Sequence, residues 1–418
     1  MPDTEPVQNQ PGGSRASAGF ILATIALDAL SFAIVIPVVP ALLMEIGHLP
    51  PASASLWLGI IFSIFAFMQF LCAPIAGGLS DRFGRRPVLL VSLGVMALNA
   101  LLWTWVPNLF WLLVLRVVAG GLAGNVTAAT AYMADVTPPE KRARAFGLVG
   151  AMFGLGFVVG PALGGVLGSV WIRLPFLVSA GLIGINVLYG LFVLPESLPP
   201  ERRRPFSWRR VNPLGTLRLF SGDRTTIRLG LAWCCGWLAL GAQQSSFILA
   251  NQMRFGWTLD QNGLALAAGG IAQALVQGVL IGRVSARLGP RRTAIAGFSF
   301  AVAGYALYAL ASAPLVMLSG MLVLAFGALS NPSIQTMLSI AAGPQRQGEV
   351  QGGLGSLQGL SMVVGPTLTG LTFAAATRPG GALHFPGAPF ALSALVCAAG
   401  LAAILLVPKT VTPARTAA

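Results

Sequence analysis

The amino-acid sequence predicts an all-α integral membrane protein with twelve transmembrane helices in two six-helix bundles. Three observations predict it: an apolar composition, the length of the apolar runs, and an internal repeat. Hydrophobic residues make up 55% of the 418-residue chain and charged residues only 9%, against roughly 25% charged in a soluble globular protein. With a mean hydropathy of +0.78, the chain cannot cover a soluble surface of its own size. Disorder is excluded by the same numbers. Cys72, Cys234, Cys235 and Cys397 lie in apolar runs and form no CxxC, so they read as small hydrophobes rather than a disulfide framework.

A helix crosses the hydrocarbon core with about 20 mostly apolar residues. Windows of that size give twelve segments: 19–43, 56–79, 88–105, 109–134, 144–168, 174–194, 226–249, 262–284, 292–311, 314–340, 349–376 and 386–407. The runs are too long, and alternate too little, for barrel strands. The first eighteen residues are polar, so no signal peptide is expected. Of the 26 Lys and Arg, 22 fall on the side that holds both termini; Arg173, Arg254 and Arg378 face the other way and Arg116 is embedded. The positive-inside rule then places both termini in the cytoplasm, as expected for a multi-pass protein of the inner (cytoplasmic) membrane. The net charge of +14 is thereby a topology signal beside anionic lipid, and no nucleic acid is expected as partner.

The longest polar stretch, 195–225, divides the spans six and six. The expected organisation is an N-terminal tail over 1–18, bundles over 19–194 and 226–407, a cytoplasmic linker over 195–225, and a tail over 408–418. The halves match at a constant offset of 205 residues. Gly84-Arg85-Arg86 faces Gly289-Pro290-Arg291, Pro139 faces Pro344, and Val158-Val159-Gly160-Pro161 faces Val363-Val364-Gly365-Pro366. Parallel six-helix repeats describe a class of secondary transporters whose substrate site lies near the midplane.

Asp28 is the embedded carboxylate, about ten residues into the first span and so roughly 15 Å deep at 1.5 Å per residue. Low dielectric favours its neutral form and a nearby cation its ionised form. An acid so placed is a functional candidate or half of a static pair with Arg116, the embedded base. Neutral amides at Gln69, Asn99, Asn125, Gln243, Gln244, Gln273, Gln277, Asn331, Gln335 and Gln358, with the aromatics Phe32, Phe65, Trp233 and Trp237, suit a cavity for a small amphipathic organic molecule, though any one of them can also fasten helices. Gln273 and Gln277, four apart, share a face. No phosphate loop GxxxxGK[ST] appears, and His48 and His384 fall outside the spans, so neither a nucleotide-driven pump nor an enzyme is expected. No cofactor and no metal is implied.

The run Gly78-Leu79-Ser80-Asp81-Arg82-Phe83-Gly84-Arg85-Arg86-Pro87 resembles the loop signature of the major facilitator superfamily. Gly156-x3-Gly160-Pro161-x2-Gly164-Gly165 resembles the fifth-span motif of its drug/proton antiporters, and Arg116 with Gly120, Gly121 and Gly124 resembles their fourth-span motif. Leu27-Asp28-Ala29 with Ile36-Pro37-Val38-Val39-Pro40, and Phe255-Gly256-Trp257, are similar to tetracycline-type exporters. The resemblance implies a proton-coupled antiporter exporting small amphipathic compounds, tetracycline-like drugs among them, and working as a monomer. Export of an endogenous metabolite or siderophore is the alternative, and a non-transporting receptor the alternative from another class. It implies that Asp28 and Arg116 couple protons, and that Asp81 gates by pairing with Arg144 and the start of span eleven. Those exporters carry further acids in spans three and nine and a histidine in span eight; the matching positions here are Asn99, Ala301 and Gln273.

Overall fold

The computed structural model describes residues 13–138, 141–206, 220, 223–343, 346–378, 380 and 384–408; the repeat pair Pro139 and Pro344, linker residues 207–219, 221 and 222, and the last ten residues lie outside it, as do the side chains of 13–18, Ala143 and Arg144. Among the described residues the secondary structure is entirely helical. The first half comprises α1 (Gly13–Val35), α2 (Val39–Gly47), α3 (Pro51–Phe83), α4 (Arg85–Thr104), α5 (Leu109–Leu122), α6 (Asn125–Val136), α7 (Arg142–Val170) and α8 (Leu174–Val193). The second comprises α9 (Arg224–Ala239), α10 (Gly241–Ser245), α11 (Phe247–Phe255), α12 (Leu259–Leu275), α13 (Ile281–Leu310), α14 (Pro314–Gly327), α15 (Ser330–Ala342), α16 (Gln347–Ala376) and α17 (Ala388–Leu405).

Among these, nine stretches are each long and apolar enough to cross a membrane, and a tenth is the pair α1 and α2, bent by 48°. The continuous stretch 259–310 holds two crossings, divided where Gly289 leaves helical geometry at φ 76° and ψ 162°. Counting α9 to α11 as one broken crossing gives the twelve expected. The structure corrects several spans in detail. The first breaks at Ile36-Pro37-Val38, where the proline ring removes an amide donor. The fourth breaks at Ala123-Gly124. The seventh comes in three pieces and runs on to Phe255. The eighth starts at Leu259, passes through a π-helical turn over Val276–Leu280 and runs on to the break at Gly289.

The repeat is structural as well as sequential. α14 spans α5 shifted by 205 residues, and the break at Ala328-Leu329 repeats the one at Ala123-Gly124. Gly84 and Gly289 turn the chain at matching positions with φ of 107° and 76°, a region that only glycine adopts cheaply. Arg86 donates to the carbonyl of Leu191 at the end of α8 (2.6 Å), and its repeat mate Arg291 donates to those of Leu405 (2.8 Å) and Val407 (2.9 Å) at the end of α17. Each satisfies carbonyls that a helix end leaves unpaired.

Two of the three cations assigned to the far face, opposite the termini, have the same explanation. Arg173 donates to the carbonyl of Thr104 (2.8 Å) and pairs with Glu45 (2.7 Å), while Arg254 donates to the carbonyls of Tyr308 and Ala309, both at 2.7 Å. They close the ends of α4 and α13, so their charge is held by structure.

The halves meet through two related contacts. α7 lies against α12, and α16 lies against α3. A Cβ on Gly165 would sit 2.6 Å from the carbonyl oxygen of Leu259, and one on Gly370 would sit 2.5 Å from that of Ser55. Gly263 approaches the carbonyl of Pro161, and Gly59 that of Pro366, still more closely. Small residues thus bring helix backbones together at repeat positions. The hydrogen bonds between halves, among the described residues, also lie toward the far face. Ser55 Oγ donates to the carbonyl of Ser245 (2.9 Å) and is 3.1 Å from the Ser246 hydroxyl; Thr367 donates to Ser63 (2.8 Å). The halves are therefore clasped on the face remote from the termini.

Candidate functional site

α1, α3, α4, α5, α6, α7 and α8 enclose a cavity of about 230 Å³ within the first half. The sequence-predicted residues Asp28, Phe32, Phe65, Gln69, Asn99, Arg116 and Asn125 all line it. The α5–α6 break builds its polar end. Because the helix restarts at Asn125, that side chain sits at a helix N-terminus inside the bundle, and its Nδ2 donates to Asp28 Oδ2 at 2.6 Å. Gly124 makes the break possible, since a Cβ there would lie 2.9 Å from Ala76 Cβ and 3.1 Å from Ser92 Oγ. The restarted helix also turns its free amide end and positive dipole toward this region, which favours a carboxylate.

Arg116 does not pair with Asp28. Among the described residues it makes no ion pair within 4.0 Å, and it is 94% buried. Its guanidinium instead lies 4.2 Å from the Trp103 ring centroid, 5.5 Å from Phe65 and 5.8 Å from Phe62. Three ring faces offer a cation the negative side of their quadrupoles. The sequence reading missed Trp103, Phe62 and Phe176, whose ring packs on Trp103 at 5.4 Å. Nothing in an apolar run separates an aromatic that holds a cation from one that fills a core.

The second-half candidates do not reach this cavity. Trp233, Trp237, Asn331 and Gln358 stand 205 residues after Asp28, Phe32, Val126 and Phe153, all cavity residues. Trp233 is buried and its indole donates to the Leu354 carbonyl (3.0 Å), with Trp237 at 6.0 Å between ring centroids. The indole nitrogen of Trp237 and Asn331 Oδ1 are buried without partners among the described residues. Gln243 is half-buried, Gln244 reaches Met362 Sδ (3.7 Å), and Gln335 donates to Gln351 at an exposed position (2.8 Å). Gln273 and Gln277 are exposed. At the repeat positions of Asp28 and Arg116 stand Trp233 and Met321, so the charged site belongs to one half.

The loop motif forms its own cluster at the termini face. Asp81 pairs with Arg85 at 2.6 Å, and Arg85 also reaches Asp135 at 3.0 Å. Asp81 thus engages its own half here; the side chain of Arg144 is outside the described residues. Arg82 is exposed and stacks on Phe83 at 5.1 Å. Gly78 lies under the Phe206 ring, and Gly84 under Glu196. Glu196, absent from the sequence reading, accepts from the backbone amides of Arg85 (2.8 Å), Arg86 (3.3 Å), Ser197 (3.0 Å) and Leu198 (3.0 Å). It caps α4 and fastens the chain after α8 beneath the loop. Gly156, Gly160 and Gly164 of the fifth-span motif pack α7 on α1 at Ala29, Ala33 and Ile34, while Gly165 faces α12. Pro161 sits between these two faces, and its carbonyl is the one Gly263 approaches.

Asp81→Asn is expected to slow turnover about fivefold, the worth of a partly exposed pair near 1 kcal/mol. Substrate affinity should stay within twofold, because the cluster is far from the cavity. Transport kinetics with parallel equilibrium binding check this; lost affinity at unchanged turnover would contradict it.

Twelve crossings in two repeats, clasped at one face and with a charged cavity inside the first bundle, have the architecture of a membrane carrier. A family model described as Major Facilitator Superfamily matches residues 21–259 and 232–418. The class C tetracycline resistance protein of Escherichia coli is 38% identical over 85% of this chain and 89% of its own length. The class G protein of Vibrio anguillarum is 36% identical over 84% and 89%. The human organic anion transporter MFSD10 (TETRAN) superposes with a TM-score of 0.68 at 25% identity, covering 94% of this chain and 100% of that one. The nucleoside transporter NupG shares the fold, with a TM-score of 0.77 over 94% of this chain and 99% of its own at 13% identity. The chain belongs to the Major Facilitator Superfamily and within it resembles tetracycline-type efflux proteins. It is a multi-pass membrane transporter of a small molecule, not an enzyme.

Proposed function

We propose that the chain is a proton-coupled exporter of small amphipathic organic compounds, tetracycline-like drugs among them. It acts as a monomer in the inner membrane, with both termini cytoplasmic and residues 195–225 linking the two bundles. The observation that carries this reading is Asp28, a carboxylate held by Asn125 in a mid-membrane cavity lined by aromatics. A side chain that gains and loses a proton beside the substrate can exchange one for the other. With Asn99, Ala301 and Gln273 neutral, coupling in this chain rests on Asp28, which implies one proton per cycle. The 22-to-3 split of basic residues supports the orientation. Reporter fusions at Glu201 and Ala418 should both read cytoplasmic, and a periplasmic signal at either would overturn it.

The test is a drug panel in an efflux-deficient bacterium. Expression should raise tolerance to tetracycline or to another amphipathic drug, and lower its accumulation. No change across the panel, with the protein present in the membrane, would contradict drug export.

A further inference from the structure

Two charged groups share the cavity without meeting. Arg116 is 94% buried, its Nε has no acceptor, and none of its donors is used by the described residues. The aromatic rings cover the faces of the guanidinium; its hydrogen-bonding edge is left free. Asp28 receives one hydrogen bond on Oδ2, from Asn125, and its second oxygen has no partner among the described residues. A buried cation and a half-buried carboxylate, each half-used and more than 4.0 Å apart, call for a ligand that completes both.

We infer that the cavity is built for a zwitterionic aromatic molecule, with its acidic oxygen edge on Arg116 and its ammonium group on Asp28. This deepens the export reading and rests on it. A purely anionic substrate would bind better once Asp28 is protonated, so proton and substrate would travel together. A purely cationic one would leave Arg116 without a counter-charge. Only a substrate with both charges uses both groups and still competes with the proton at Asp28, as exchange requires. The planar guanidinium suits a carboxylate or enolate, which it can meet with two parallel hydrogen bonds.

The test uses the full chain in lipid nanodiscs and fluorescent naphthalene probes. Two zwitterions, the 1,4- and 2,6-disubstituted aminomethyl-naphthoates, are compared with the methyl-naphthoates and methyl-naphthylmethylamines that carry one charge each. At least one zwitterion should bind about tenfold more tightly than either single-charge counterpart. Arg116→Gln should reduce that zwitterion to the level of the amine and should not weaken the amine, whose ammonium loses a repelling neighbour. Asp28→Asn should reduce it to the level of the carboxylate. Arg116→Lys should restore part of the preference, which separates a binding charge from a fold requirement. Equal binding of all probes, or an equal loss of every probe in Arg116→Gln and Arg116→Lys, would overturn the inference. If the preference is present but protons drive no efflux, the export reading fails alone. If efflux persists without the preference, this inference fails alone.

Discussion

Asp28→Asn is expected to abolish uphill efflux, lowering steady-state accumulation in everted vesicles by about 100-fold or more, to the level of vesicles without carrier. The asparagine keeps the volume and can still meet Asn125, but it cannot exchange a proton. In the proposed cycle, Asp28 would take up a proton when facing the acidic side and lose its hold on the substrate, and would ionise and bind again when facing the near-neutral side. One pKa unit corresponds to about 1.4 kcal/mol, so a modest change in surroundings between the two states suffices. Exchange of labelled for unlabelled substrate without a gradient should survive, because it needs the cavity and the conformational change but no proton. Uphill transport at the wild-type level would show that protons cross elsewhere.

The second large effect is expected from one methyl group at the contact between the halves. A Cβ at Gly59 would overlap the Pro366 carbonyl where α3 meets α16. Overpacking of this kind costs about 1–3 kcal/mol. The cost falls only on the clasped state, so Gly59→Ala should shift the conformational balance roughly 5- to 150-fold. Transport should fall by about tenfold or more while the protein remains folded. Ser63 and Thr367, 2.8 Å apart across the same contact, supply the readout: as a cysteine pair they should cross-link readily in the parent and poorly with Gly59→Ala. Unchanged cross-linking and unchanged transport would show that the contact carries no weight.

The sequence revealed the spans because lipid imposes one rule on every crossing, and the repeat because equivalent helices kept equivalent turns. Gly84 and Gly289 were readable for that reason, as were Pro161 and Pro366. The breaks were harder. Pro37 and Gly124 are visible letters, but whether a proline or glycine bends a helix or only packs it depends on the neighbouring helix. The first-half candidates converge on one cavity because an acid, a base and amides in lipid have few places to go. The second-half amides do not, since a glutamine at a helix end or an exposed face carries the same letter as one in a cavity. The cage around Arg116 was only partly readable: Phe65 was a cavity candidate, but Trp103 and Phe62 come from helices whose registry is fixed only by folding. Glu196 was hidden in a polar connection, where four backbone amides give it a role that composition does not mark.

The most direct test of the account is proton movement by the purified carrier. Proteoliposomes holding a pH-sensitive dye, given an outward gradient of tetracycline or another drug found active in the panel and no ionic gradient, should acidify as substrate leaves and protons enter, with about one proton per substrate. Substrate efflux at full rate with no change of internal pH would contradict proton-coupled export.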